Sequence, residues 1–205
     1  MNKQYAFYFD SSRCSGCKTC QIACKDKNNL EIGILWRRVY EVSKGEWKGK
    51  DGVWSHNIIT YNVSLACNHC EDPICADTCP TKAMIKNENG IVTVDKNKCI
   101  GCRYCEWACP YGAPQYDIAK AVMTKCNLCE DYIENNKYPS CVDACPMRVL
   151  DFGDLQDIQN KYGHGKELYP LPKSSATRPA IVITNKEISI DINDLNAEIL
   201  NGEEI

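Results

Sequence analysis

Histidine is nearly missing from this chain: only His56, His69 and His164 occur in 205 residues. That leaves little for zinc sites built from Cys and His together. Long apolar runs are missing too. The longest aliphatic stretches, such as Ala180-Ile181-Val182-Ile183, are far too short to span a bilayer. There is no basic excess. Lys and Arg number 24 against 27 Asp and Glu, a net charge of -3, so no nucleic-acid partner is expected. The opening residues MNKQYAFYFD lack a basic segment followed by an apolar run, and Arg37-Arg38 is internal. Neither a signal peptide nor a twin-arginine export signal is therefore expected. Ser, His and Asp residues occur without a triad motif, so the sequence points away from an enzyme in its own right.

What is abundant is cysteine. The 16 Cys fall into four quartets: 14/17/20/24, 67/70/75/79, 99/102/105/109 and 126/129/141/145. Repeated pairs two residues apart suit a multidentate metal site better than cross-links between distant segments. The stretch CIGCRYCEWACP at 99–110 matches C-x2-C-x2-C-x3-C-P, the signature of ferredoxins with two iron–sulfur clusters. CNHCEDPICADTCP at 67–80 and CNLC with CVDACP at 126–146 are variants of it. CSGCKTCQIAC at 14–24 has the spacing but continues into Lys25 without proline. Thiolates are the soft ligands that both zinc and iron–sulfur clusters prefer, but zinc sites combine two ligand pairs, and these quartets have a three-plus-one form. Hydrophobic residues make up 44%, cysteines included. The aliphatic core is modest, and removal of the clusters is expected to unfold the protein.

In two-cluster ferredoxins the fourth cysteine of each run ligates the other cluster. Applied here, that rule predicts four [4Fe-4S] clusters. Cluster 1 takes Cys14, Cys17, Cys20 and Cys145, and cluster 2 takes Cys67, Cys70, Cys75 and Cys109. Cluster 3 takes Cys79, Cys99, Cys102 and Cys105, and cluster 4 takes Cys24, Cys126, Cys129 and Cys141. One ferredoxin is then inserted into another. Exchange between the first and second quartets is the alternative, opposed by the long 25–66 segment and the compact 80–98 segment. Lys18, Lys25, Arg103 and Lys125 stand beside ligands as candidates to offset cluster charge, against the plainer reading that they are solvated. His69 is read as a neighbour of ligands or a surface residue, not a ligand.

The expected fold class is α+β: two nested ferredoxin-like modules of short strands, short helices and long loops, plus an extended C-terminal arm. Residues 1–25 and 115–168 form the outer module, 26–66 a β-hairpin insertion, 67–114 the inner module and 169–205 the arm. Strands are predicted at 5–10, Trp36–Val42, His56–Leu65, Ile91–Val94 and Val149–Phe152, with a turn at 87–90 and a helical turn at Asp131–Asn136. Trp36, Trp47 and Trp54 are expected to cluster on the insertion, either packing locally or facing a partner. Prolines 170, 172 and 179 resist helix in the arm, and Ala180–Thr184 has strand composition, which suggests ordering on a partner.

The strings QYAFYFDSSRCSGCKTCQIACKD, CNHCEDPIC, CIGCRYCEWACPYGAPQY, MTKCNLC and CPMRVLDFGDL resemble the iron–sulfur subunit of anaerobic dimethyl sulfoxide reductases, from about residue 3 to about residue 185. The resemblance implies a non-catalytic subunit that relays electrons from a small quinol-oxidising integral membrane anchor to a large molybdopterin catalytic subunit in anaerobic respiration. It also implies four clusters in a linear series, nested as above. A nitrate reductase counterpart has Trp at the position of Cys102, so four [4Fe-4S] clusters are implied here. The implied location is a peripheral membrane complex on the outer, periplasmic face by co-export with the catalytic subunit, the cytoplasmic face being the alternative. Subunits for polysulfide, thiosulfate, tetrathionate, selenate and formate enzymes share the quartets, and a free polyferredoxin is a further alternative.

Overall fold

The computed structural model describes residues 3–185, 190–191 and 196–204. In order along the sequence the elements are β1 (Tyr5–Asp10), α1 (Thr19–Lys27), β2 (Arg38–Lys44), β3 (Trp47–Lys50), β4 (Val53–His56), β5 (Ile59–Leu65), α2 (Ile74–Asp77), β6 (Met84–Lys86) and β7 (Val92–Val94). Then follow α3 (Tyr104–Ala108), β8 (Gln115–Asp117), β9 (Val122–Thr124), α4 (Glu130–Glu134), α5 (Ser140–Asp143), β10 (Leu150–Asp154), α6 (Leu155–Tyr162), β11 (Ile181–Thr184) and β12 (Glu198–Ile199). The architecture is α+β and ferredoxin-like, with small sheets linked by long loops.

β1 is the axis of the largest packed region. Both of its faces are packed, and five of its six residues are buried, Asp10 among them. β10 pairs with it antiparallel, Phe7 opposite Phe152, and β11 pairs parallel on the other edge, Phe7 opposite Ile181. Phe7 and Phe9 face the main core, while Tyr8 lies with Ile158 and Val182 under α6. The Tyr8 and Tyr162 rings stack with centroids 3.6 Å apart. Asp154 caps α6 by accepting from Gln156 N at 2.9 Å.

The C-terminal arm differs from expectation. Ile181–Thr184 orders on β1 of its own chain, because its three buried β-branched residues complete a sheet whose edge would otherwise expose Phe7 and Phe9. Further on, β12 pairs with β2. The parts of the arm at 186–189, 192–195 and 205, and residues 1 and 2 of the outer module, lie outside the described residues.

The insertion is two hairpins in series. β2 and β5 pair along their length from Arg38↔Leu65 to Lys44↔Ile59. The polar segment between them forms its own hairpin, β3–β4, turned by Asp51 and Gly52 at φ 53° and 78°. His56 therefore ends β4 rather than opening β5. The three tryptophans do not cluster. Trp36 leaves the hairpin and donates from Nε1 to Thr124 Oγ1 at 3.1 Å, while Trp47 and Trp54 are exposed on β3–β4. Hairpin β6–β7 is closed at 87–90 by the Asn87 side chain, which accepts from Asn89 N and Ile91 N. Hairpin β8–β9 and helix α6 have no counterpart among the expected elements.

Candidate iron–sulfur sites

None of the sixteen cysteines is paired in a disulfide. Cys14, Cys17, Cys20 and Cys145 line one cavity with Val39, Ser64 and Leu150. Cys67, Cys70, Cys75 and Cys109 line a second with Val92, Tyr111, Lys125 and Thr177. Burial pushes the Cys105 thiol up to about 11, reinforced by Cys99, Cys102 and Cys79 around it. Cys24 is pushed up to about 12 by burial, then by Cys141 and Cys129. Cys126 is driven up by burial and by Cys24, Cys67 and Cys141. The two cavities thus each join three thiols of one run to the fourth of another.

Local geometry explains how the runs wrap. The residue before the second cysteine of every run is left-handed: Gly16 at φ 69°, His69 at 42°, Gly101 at 67° and Leu128 at 61°. This conformation turns the loop inward, so that His69 N donates to Cys67 Sγ at 3.5 Å and Leu128 N to Cys126 Sγ at 3.4 Å. Ala83 N and Met123 N donate similarly to Cys79 Sγ and Cys99 Sγ at 3.2 and 3.3 Å. Such N–H groups favour thiolate over thiol and tune a bound cluster. Gly101 is required for a second reason: a Cβ there would lie 2.6 Å from Ala121 O. After Cys79, Cys109 and Cys145 the proline opens a turn, and the N–H of Lys82, Gly112 and Arg148 returns to the cysteine carbonyl at 3.2, 3.1 and 3.2 Å. Cys24 has no proline after it, and α1 runs on through it to Lys27.

The donor sets fit iron–sulfur clusters. Burial makes most of the enclosed thiols resist ionisation, while hydrogen bonds hold Cys17 and Cys79 below the ordinary thiol value, and binding of a cationic metal group would release the remaining protons and compensate the gathered charge. Two groups reach the surface, through exposed Cys17 and exposed Cys102, while every thiol of the Cys24 group is buried. Cys126 and Cys141 lie in the main buried core with Cys67 of the second group and Cys20 of the first.

Of the four cations singled out in the sequence, three are engaged near the surface. Lys18 pairs with Glu41 and Glu204, Arg103 with Glu106, and Lys25 binds the carbonyls of Glu31 and Ile34. Lys125 alone is buried, its Nζ donating to the carbonyls of Val92 and Cys126. His69 is fully enclosed. Its Nδ1 accepts from Val92 N at 2.9 Å, and burial together with Lys125 and Lys86 keeps it neutral. Arg37 is also buried, beside the thiols, and its sequence context gave no sign of this.

A family described as a 4Fe-4S dicluster domain matches residues 58–155. The B subunit of anaerobic dimethyl sulfoxide reductase from Escherichia coli K12 is 47% identical over 205 residues, covering 100% of both proteins. The subunit of the same name from Haemophilus influenzae is 46% identical, covering 99% of this chain and 100% of the relative. This protein is a member of the family of anaerobic dimethyl sulfoxide reductase B subunits. The B subunit of polysulfide reductase from Wolinella succinogenes is 36% identical and covers 93% of this chain and 100% of the relative. As a B subunit of this family it carries [4Fe-4S] clusters, with sixteen cysteines compatible with four, and serves as a non-catalytic electron-transfer subunit. Among the described residues no helix is long and apolar enough to cross a membrane.

Proposed function

We propose that the protein is the wire of a respiratory molybdoenzyme, with four [4Fe-4S] clusters held by the four thiol groups in the exchanged pattern. The observation that carries this is the company kept by Cys109 and Cys145: each lines a cavity with three cysteines of another run. A bound cluster supplies one-electron transfer between two oxidation states. The protein's residues fix its position, exclude water from the buried groups and aim N–H donors at the sulfurs. Cys17 and Cys102, the exposed thiols, mark the two ends of the path, running from the Cys14 group through the Cys24 and Cys67 groups to the Cys99 group.

The grouping also supports the nested division: an outer module from 1–25 and 115–168, an inner one at 67–114, the insertion at 26–66 and the C-terminal segment from 169. Hairpin β8–β9 leans on the inner module, with Met123 N on Cys99 Sγ.

At its ends the wire joins a quinol-oxidising membrane anchor to a large molybdopterin subunit that reduces dimethyl sulfoxide or a related S-oxide. The complex is peripheral on the outer face of the membrane. The polysulfide reductase relative favours a second reading, a sulfur-compound acceptor served by the same wire. An anaerobic pull-down of the tagged protein from native membranes, with molybdenum assayed, tests the proposal. Recovery with a large molybdenum-bearing subunit and a small hydrophobic one is expected. A brown protein alone in the soluble fraction would replace it with a free polyferredoxin.

A further inference from the structure

Arg37 is 1% exposed, yet it carries a permanent charge. Among the described residues no carboxylate pairs with it. One of its terminal nitrogens donates to Ser64 Oγ at 3.0 Å, and that oxygen lies 3.3 Å from Cys20 Sγ. The guanidinium carbon stands 4.7 Å from the centre of the Phe7 ring. Nε and the other terminal nitrogen are buried without a hydrogen-bond partner. A charge this deep needs a counter-charge close by. Burial disfavours that charge, and the foremost groups that favour it are thiols: Cys141, Cys20, Cys126 and Cys24. One belongs to the Cys14 group and three to the Cys24 group.

We infer that Arg37 is the internal counter-cation of the junction between these two groups and raises the reduction potential of both clusters proposed there. This rests on the four-cluster reading above. Reduction adds one negative charge to a site already surrounded by thiolates. A fixed cation between two such sites stabilises the reduced state of each and weakens the repulsion when both are reduced. Buried, it is little screened by salt, and the guanidinium keeps its charge at any working pH. The unpartnered nitrogens are then the face turned to the clusters.

The test is potentiometric titration of the purified complex, followed by electron paramagnetic resonance, in native protein, Arg37→Gln and Arg37→Lys. In Arg37→Gln, two of the four midpoints are expected to fall, each by at least a tenfold change in its one-electron equilibrium, which is 59 mV. The other two stay fixed, and Arg37→Lys keeps the native pattern. Four unchanged midpoints in Arg37→Gln, or an equal shift of all four, would overturn the inference. If Arg37→Gln loses iron, Arg37→Lys decides. Native iron and midpoints there support the charge, and loss equal to that of Arg37→Gln overturns it. Failure of the four-cluster reading is separable, because it shows in the native protein as fewer than four signals.

Discussion

Cys109→Ser tests the exchanged ligand pattern most directly. Cys109 lies four residues after Cys105 in sequence, but in space it shares a cavity with Cys67, Cys70 and Cys75. The substitution removes one of four thiols from that cavity and leaves the Cys99, Cys102 and Cys105 environment intact. If the site fails to close, iron falls from about sixteen to about twelve atoms per protein, or to about fifteen if a three-iron cluster is retained. The assay is iron content with low-temperature electron paramagnetic resonance at controlled potential. Two references make the result legible: Cys70→Ser, in the same cavity, and Cys102→Ser, in the neighbouring group. The signal changed in Cys109→Ser must be the one changed in Cys70→Ser. If it is instead the one changed in Cys102→Ser, the grouping is wrong, and with it the nested path.

Other substitutions have defined outcomes. Val182→Ala removes two methyl groups from a site with 0% exposure in β11, and is expected to cost about 1.5–3 kcal/mol. Anaerobic urea unfolding should show it as a lower midpoint, and an unchanged midpoint would mean that β11 is not docked on β1. Gly101→Ala forces a left-handed residue to carry a Cβ against Ala121 O, at a cost of about 1–3 kcal/mol. Its cluster loss should appear first in the signal changed by Cys102→Ser. Asp10 is buried, which raises its pKa, but hydrogen bonds from Ser12 and Arg13 outweigh this and hold the carboxyl below its ordinary 3.8. Because the folded-state value is depressed, its stabilisation is full above pH 3.8 and is lost as pH falls through the lower value. Asp10→Asn is therefore expected to lower the free energy of unfolding in urea at pH 7 by about 1–2 kcal/mol, with the difference from native protein closing below pH 3.8.

The cysteine pattern was legible because ligand spacing is local chemistry. Three thiols two residues apart can wrap a cluster only with a left-handed residue between the first two, and Gly16 and Gly101 announce that conformation. His69 and Leu128 adopt it without announcing it, because the groups around them impose what their own preferences would not. The missing proline after Cys24 was legible as well, and its result is an α1 that continues for three residues beyond the thiol. Long-range pairing was not legible. Ile181–Thr184 reads as a strand from composition, but nothing local says that its partner is β1, more than 170 residues earlier. Hairpin β8–β9 has strands of three residues, too short for an alternation signal, and it forms because Met123 is buried against the thiols. Nothing in the sequence around Arg37 marks it as buried. Its neighbour Arg38 does reach carbonyls, of Tyr111 and Gly112, whereas Arg37 turns inward from the adjacent position.

The crossing of β11 onto β1 also sets a timetable for the growing polypeptide. Synthesis delivers Cys14, Cys17 and Cys20 first, but their fourth neighbour, Cys145, arrives some 125 residues later. The Cys67 group is complete once Cys109 has emerged, well before either group that spans the ends of the region. The thiols of the middle and of one end of the proposed path are therefore complete in the polypeptide before those of the Cys14 end. The sheet beneath that end stays open until residues 181–184 leave the ribosome and cover β1. A polypeptide cut short before residue 181 could gather all sixteen thiols and still lack the strand that seals Phe7 and Phe9. An uncovered β1 edge is therefore the mark of a polypeptide in which β11 is missing or undocked.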